Sequence, residues 1–231
     1  MSRYENKKLL YSIAAIGGIS LVIIINECGH FLFAHLFGVP VTTFSLGFGP
    51  ALLQIPYGST LYQVAMVPFG GYVEMDPQAL AALPYAQKMI IMLAGIVFNI
   101  IFCFAVLIYY KMRGKGSIRP LIKQIMPQPD NKSIIIGPIG IIQMIGKSLT
   151  ISYQLFWSML AMISLNIGLF NLIPLPFFDG GKALIFTFEA LAGKTIPEYF
   201  LWPITIIFLC LFLLFIFIIS INDITRTNSQ K

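Results

Sequence analysis

The chain has 231 residues, of which 58% are hydrophobic and 10% charged, far from the roughly 45 to 50% and ~25% of soluble globular chains. One aqueous core cannot bury that excess, which excludes an ordinary soluble enzyme. The formal charge of +6 sits on lysines and arginines that flank apolar runs, so it marks membrane topology and argues against nucleic acid as partner.

A helix needs about 20 mostly apolar residues to cross a hydrocarbon layer of ~30 Å. Four stretches, approximately 9–33, 89–110, 151–173 and 200–221, meet or nearly meet that length. The predicted fold class is therefore a polytopic α-helical membrane protein of about four transmembrane helices, read as a single membrane-embedded domain over 1–231. Cys28, Cys103 and Cys210 lie inside these spans and form no C-x-x-C pair, so neither a disulfide framework nor a cysteine metal site is indicated.

Arg3, Lys7 and Lys8 precede the first span in the manner of a signal peptide, but no A-x-A-like cleavage site follows, and a retained helix is expected. Near its end the chain reads Asn26-Glu27-Cys28-Gly29-His30. A glutamate inside an apolar helix is costly enough to count as a functional candidate. Positions 26 and 30 are about 40° apart on a helix and share a face. With histidine at both they would form the zinc motif H-E-x-x-H, in which the glutamate is the general base. Here the first histidine is Asn26, and a plain polar pair linking helices, Glu27 with His30, stays open as the alternative. His35 lies about 140° around from His30 and faces elsewhere.

Residues 39–75 are rich in Thr, Phe, Tyr, Val and Gly and read as a small sheet, with segments at 41–48, 52–55, 61–67 and 72–75 separated by Gly, Pro and Ser turns. The region contains no Lys or Arg and is expected to re-enter the membrane, with its backbone satisfied inside the protein. After the second span comes a short basic connection, 111–147, with four prolines and too few residues for a domain of about 50 or more. The third span ends in Asn171-Leu172-Ile173-Pro174-Leu175-Pro176-Phe177-Phe178-Asp179-Gly180-Gly181. Its prolines unwind the helix end and present Asp179 on irregular backbone, which at membrane depth must lie beside protein or a cavity. A simple helix stop with a solvated turn is the alternative.

That last motif resembles the N-x-x-P-x-P-x-x-D-G signature of the site-2 proteases, a family of intramembrane zinc metalloproteases. The stretch after Asn26 resembles the family's E-x-G-H-F segment. Residues 44–49 and 67–73 resemble its membrane-reentrant β region, Ala94-Gly95 with Asn99 its A-G-P-x-x-N motif, and Gly137 to Ile141 the segment entering the third core helix. The resemblance is to the bacterial regulator-of-sigma-E protease type and covers nearly the whole chain.

It implies Zn2+ held by His30 and Asp179 with Asn26 at the degenerate third position, and Glu27 as the catalytic base. It also implies a substrate cleft touched by Asn171, Pro174, Pro176, Phe69, Gly70 and Gly71. The substrates would be transmembrane proteins cut in or near the lipid bilayer during regulated intramembrane proteolysis, and the location a bacterial inner membrane. Three departures stand out: Ile96 replaces the proline of A-G-P, the 111–147 connection has no room for a PDZ module, and Asn26 offers zinc an amide where the family has imidazole. Two other functions fit the same residues, a pseudoprotease that binds transmembrane helices without cutting them and a small ion or proton-coupled transporter. Twelve of the fifteen Lys and Arg fall on the side of the termini, which the positive-inside rule places in the cytoplasm, whereas the resemblance implies the opposite orientation.

Overall fold

The computed structural model describes residues 3–113 and 138–229. An apolar run without proline gives the first element, α1 (Arg3–Leu36), whose segment Leu9–Leu36 is long and apolar enough to cross a membrane. It stops at Gly38, whose φ of 73° lets the chain turn while Val39 N–H donates to the Ala34 carbonyl at 2.8 Å.

The sheet follows as two long antiparallel strands, β1 (Val41–Tyr57) and β2 (Thr60–Met75), joined through Gly58 at φ 61°. Register shifts bend both strands, so the pair behaves as the four segments predicted. Residues 43–46 have partners on both sides: Glu74 back to Gly71 on one, and Leu61 on to Val64 in step on the other. Residues 53–57 pair with 64–60 and form an outer edge. The bend needs glycine at 47, where φ is 95° and a Cβ would lie 2.7 Å from the Val67 carbonyl oxygen. The other edge, around Gly71, lies against α1.

A short helix, α2 (Pro77–Ala82), starts where Asp76 accepts a bond from Ala79 N–H at 2.7 Å and Pro77 takes the first helical position. The second span is α3 (Tyr85–Met112). Residues 114–137, which include Gly137 and most of the basic connection, lie outside the described residues. The end of that connection is helical: α4 (Pro138–Ile151) precedes α5 (Tyr153–Asn171), the third span. Ser152, just inside the predicted span of 151–173, is extended and caps α5 by accepting from Leu155 N–H at 3.1 Å. Then come α6 (Asp179–Ala192), closed by Gly193 at φ 64°, and α7 (Glu198–Ser229), whose Tyr199–Ile221 portion is the fourth span.

Two apolar clusters hold the bundle. One gathers Ala15, Val22, Ile145, Phe156 and Leu160, and the other Ala34, Val39, Val41, Ile91, Met92 and Ala183. Along α1 they flank a polar layer at residues 26 to 30. α7 keeps its apolar residues outward, as a lipid-facing helix does, and Phe212 ties it to Phe177 and Phe178 at ring distances of 5.4 and 5.6 Å.

Candidate active site

Asn26, Glu27 and His30 enter the interior from α1 and are 4%, 9% and 5% exposed. Their approach to α3 depends on Gly29, where a Cβ would lie 2.6 Å from the Ala94 carbonyl oxygen. This close crossing lets His30 Nδ1–H donate to the Ile91 carbonyl at 2.8 Å. With Nδ1 committed, Nε2 is free either to donate to a carboxylate as imidazolium or to offer a lone pair to a metal, the usual arrangement of a ligating histidine. Gly95 leaves the room this needs, because a Cβ there would collide with His30 Nε2 and come within 2.8 Å of Asn26 Oδ1.

Asp179 arrives from 149 residues beyond His30, its Oδ2 lying 3.1 Å from Nε2. Pro174 and Pro176 end helical pairing after α5, and short turns bring the chain back, with Phe178 N–H donating to the Leu175 carbonyl at 2.9 Å. The next residue opens α6. Asp179 thus occupies the first turn of a helix, whereas the sequence suggests irregular backbone; the helix dipole favours an acid there. Gly180 and Gly181 let α6 start directly on the loop, since a Cβ at Gly181 would overlap the Leu175 carbonyl oxygen.

Asn26 is the hub of the layer. Its Oδ1 accepts from Asn99 Nδ2 at 3.1 Å and from Asn171 Nδ2 at 3.3 Å. Its Nδ2 faces Glu27 Oε1 and His30 Nε2, each at 3.4 Å. Ser164 Oγ, fully buried, donates towards the Asn99 backbone and side-chain carbonyl oxygens at 3.1 and 3.2 Å, which leaves the Asn99 amino group for Asn26. Four elements, α1, α3, α5 and the first turn of α6, are thereby linked in one network.

The donor set fits zinc at two positions and not at the third. Zinc–ligand bonds of about 2.0 to 2.2 Å in a tetrahedron put neighbouring ligand atoms about 3.3 Å apart. The His30–Asp179 separation of 3.1 Å and the His30–Asn26 separation of 3.4 Å are both of that size. These spacings would suit a zinc ion, but the atom Asn26 turns towards His30 is an amino nitrogen with no lone pair to give. Among the described residues, no group of three His, Cys, Asp or Glu is placed to hold a metal ion.

The other predicted site residues fall around this centre. Gly71 is next to Glu27, where a Cβ would be 3.1 Å from Glu27 Cγ, and Gly70, at φ 139°, packs against the Phe48 ring. Pro174 is exposed and Pro176 half-buried on the way to Asp179, while nothing is described of the Phe69 side chain. His35 is exposed and stacked on Phe31, away from the centre. Sequence reasoning missed Ser164 and assigned Asn99 no partner. The available signal was the same for both, a polar side chain inside an apolar span.

A match to Peptidase family M50 covers residues 14–215. A Synechocystis protein named "Putative zinc metalloprotease" is 35% identical over 138 residues, 54% of this chain and 37% of the relative. The "Membrane metalloprotease ARASP, chloroplastic" of Arabidopsis thaliana is 34% identical over 105 residues, 40% of this chain and 24% of the relative. The chain therefore spans less than two fifths of the length of these two relatives. A Clostridium acetobutylicum protein, also named "Putative zinc metalloprotease", is 22% identical over 327 aligned positions, 92% of this chain and 96% of the relative. That alignment exceeds the 231 residues of the chain, so this relative carries internal residues that the chain lacks. The chain belongs to peptidase family M50, the site-2 proteases.

Proposed function

We propose that this protein takes up an unwound transmembrane segment of a membrane-protein substrate and hydrolyses a peptide bond in or beside the bilayer. The observation that carries the reading is the convergence of Glu27, His30 and Asp179 in one buried layer beside Gly71 at a sheet edge. An intact helix hides its amides in its own hydrogen bonds. A locally extended substrate could pair its main chain with the edge at 71–75 and so run past Glu27. Asn171, at the mouth of the loop, is suited to hydrogen-bond the same segment, with Pro174 and Pro176 shaping the wall.

His30 and Asp179 would hold the metal, and zinc, when bound, supplies Lewis acidity towards the scissile carbonyl. Glu27 removes the proton of the attacking water and returns it to the leaving amine. The Asn26 amino group, 3.4 Å from Oε1, orients that carboxylate. Burial keeps bulk water from competing with the single water that reacts.

One observation favours a second reading. The amino face of Asn26 at a ligand position supports a pseudoprotease that captures transmembrane segments and releases them uncut. Purified full-length chain is mixed with a candidate single-span substrate, and cleavage and co-purification are measured for wild type, Glu27→Gln and Asn26→His. Cleavage by wild type that Glu27→Gln abolishes is the expected result for the enzyme. Capture without cleavage, converted to cleavage by Asn26→His, is the result for the pseudoprotease. If wild type neither cuts nor captures, both readings fall.

A further inference from the structure

Restoring an oxygen to the metal-facing side of Asn26 would require turning its amide by half a rotation. Oδ1 would then leave the two donors it holds, Asn99 Nδ2 at 3.1 Å and Asn171 Nδ2 at 3.3 Å, and Nδ2 would be pressed against them. The turned oxygen would also meet Glu27 Oε1, an acceptor now 3.4 Å from Nδ2. Burial adds to the cost: Asn26 is 4% exposed and Asn99 0%, so no solvent replaces the bond between them.

We infer that Asn99 and Asn171 lock Asn26 with its amino group towards His30 and Glu27, making this a two-ligand site that keeps its shape without zinc. The inference rests on the M50 reading of the site and concerns its regulation by metal supply. The amide fills the place of the missing histidine with a donor that the surrounding acceptors can use, so the layer is satisfied by its own side chains. Zinc then adds little to the stability of the fold, whereas a three-ligand site stabilises its protein in proportion to metal bound.

Asn26→Asp tests the lock. Aspartate has the shape of asparagine but carries an oxygen on both sides, so one oxygen can keep the Asn99 and Asn171 donors while the other faces His30 and Asp179. Full-length chain in detergent is titrated with zinc against a chromophoric chelator, and thermal unfolding is recorded with chelator and with zinc.

Wild type is expected to lose zinc to the chelator and to unfold at the same temperature under both conditions. Asn26→Asp is expected to bind zinc at least about 100-fold more tightly, because a first-shell change should exceed the 10 to 100-fold typical of outer partners. It should also unfold earlier in chelator and later in zinc, since three clustered carboxylates repel one another until a cation joins them. Asn26→His supplies the same gain should the aspartate variant not fold. One zinc per wild-type chain retained against the chelator overturns the inference, as does a chelator-induced drop in wild-type unfolding temperature. So does an Asn26→Asp protein that folds but binds zinc no better than wild type. None of these readouts uses substrate, so failure of the proteolytic reading appears separately, as absent cleavage and capture.

Discussion

Gly29→Ala isolates the helix crossing on which the site depends. The added methyl would lie 2.6 Å from the Ala94 carbonyl oxygen, 2.7 Å from its carbon and 2.8 Å from Gly95 N, all rigid helical backbone. Ordinary contact begins near 3.4 Å, so α1 and α3 must part by several tenths of an ångström. The same displacement stretches the 2.8 Å bond from His30 Nδ1 to the Ile91 carbonyl towards the limit of a hydrogen bond. Overpacking costs about 1 to 3 kcal/mol, and a lost interhelical bond in a membrane protein adds about 0.6 kcal/mol, so a destabilisation of about 1.6 to 3.6 kcal/mol is expected. Gly17→Ala is the control, because a Cβ there meets nothing within 4 Å. Alanine is the better helix former, so this control should be neutral or slightly stabilising. Both are measured by reversible unfolding of the full chain in mixed micelles. Equal stability of the two variants would refute the account of how α1 meets α3, and with it the placement of His30.

Gly181→Ala should free Asp179 from His30, since its Cβ overlaps the Leu175 carbonyl oxygen and α6 must lift from the loop; a cost of about 1 to 3 kcal/mol is expected in the same unfolding assay, and unchanged stability contradicts the packing. Ser164→Ala removes the hydroxyl from both Asn99 oxygens and should cost about 0.6 kcal/mol, at most ~1.7 kcal/mol, in the same unfolding assay. A loss several times larger would mean that Ser164 does more than hold Asn99.

Much of the architecture was legible because the membrane makes it a local property. Length and apolarity alone define a span, so the four predicted stretches coincide closely with α1, α3, α5 and α7. The strand segments were readable for a similar reason, as glycines and prolines punctuate runs of β-branched and aromatic residues. Boundaries set by single capping residues were less so. Ser152 ends one helix and caps the next inside the predicted third span, and its extended backbone is invisible to any hydropathy window. Asp179 reads as loop because prolines precede it, yet the glycines after it allow a helix to begin at once.

By itself the sequence determined that Asn26 and His30 share a face, that Glu27 is inside an apolar span, and that asparagine stands where the H-E-x-x-H pattern has its first histidine. These follow from the 3.6-residue helical period and from residue identity. Only the tertiary structure decided which way the Asn26 amide points. That orientation is fixed by donors 73 and 145 residues away, on a different helix and at a different helix end. An amide has two chemically opposite faces of nearly equal shape, and its own segment does not choose between them; the buried partners packed around it do.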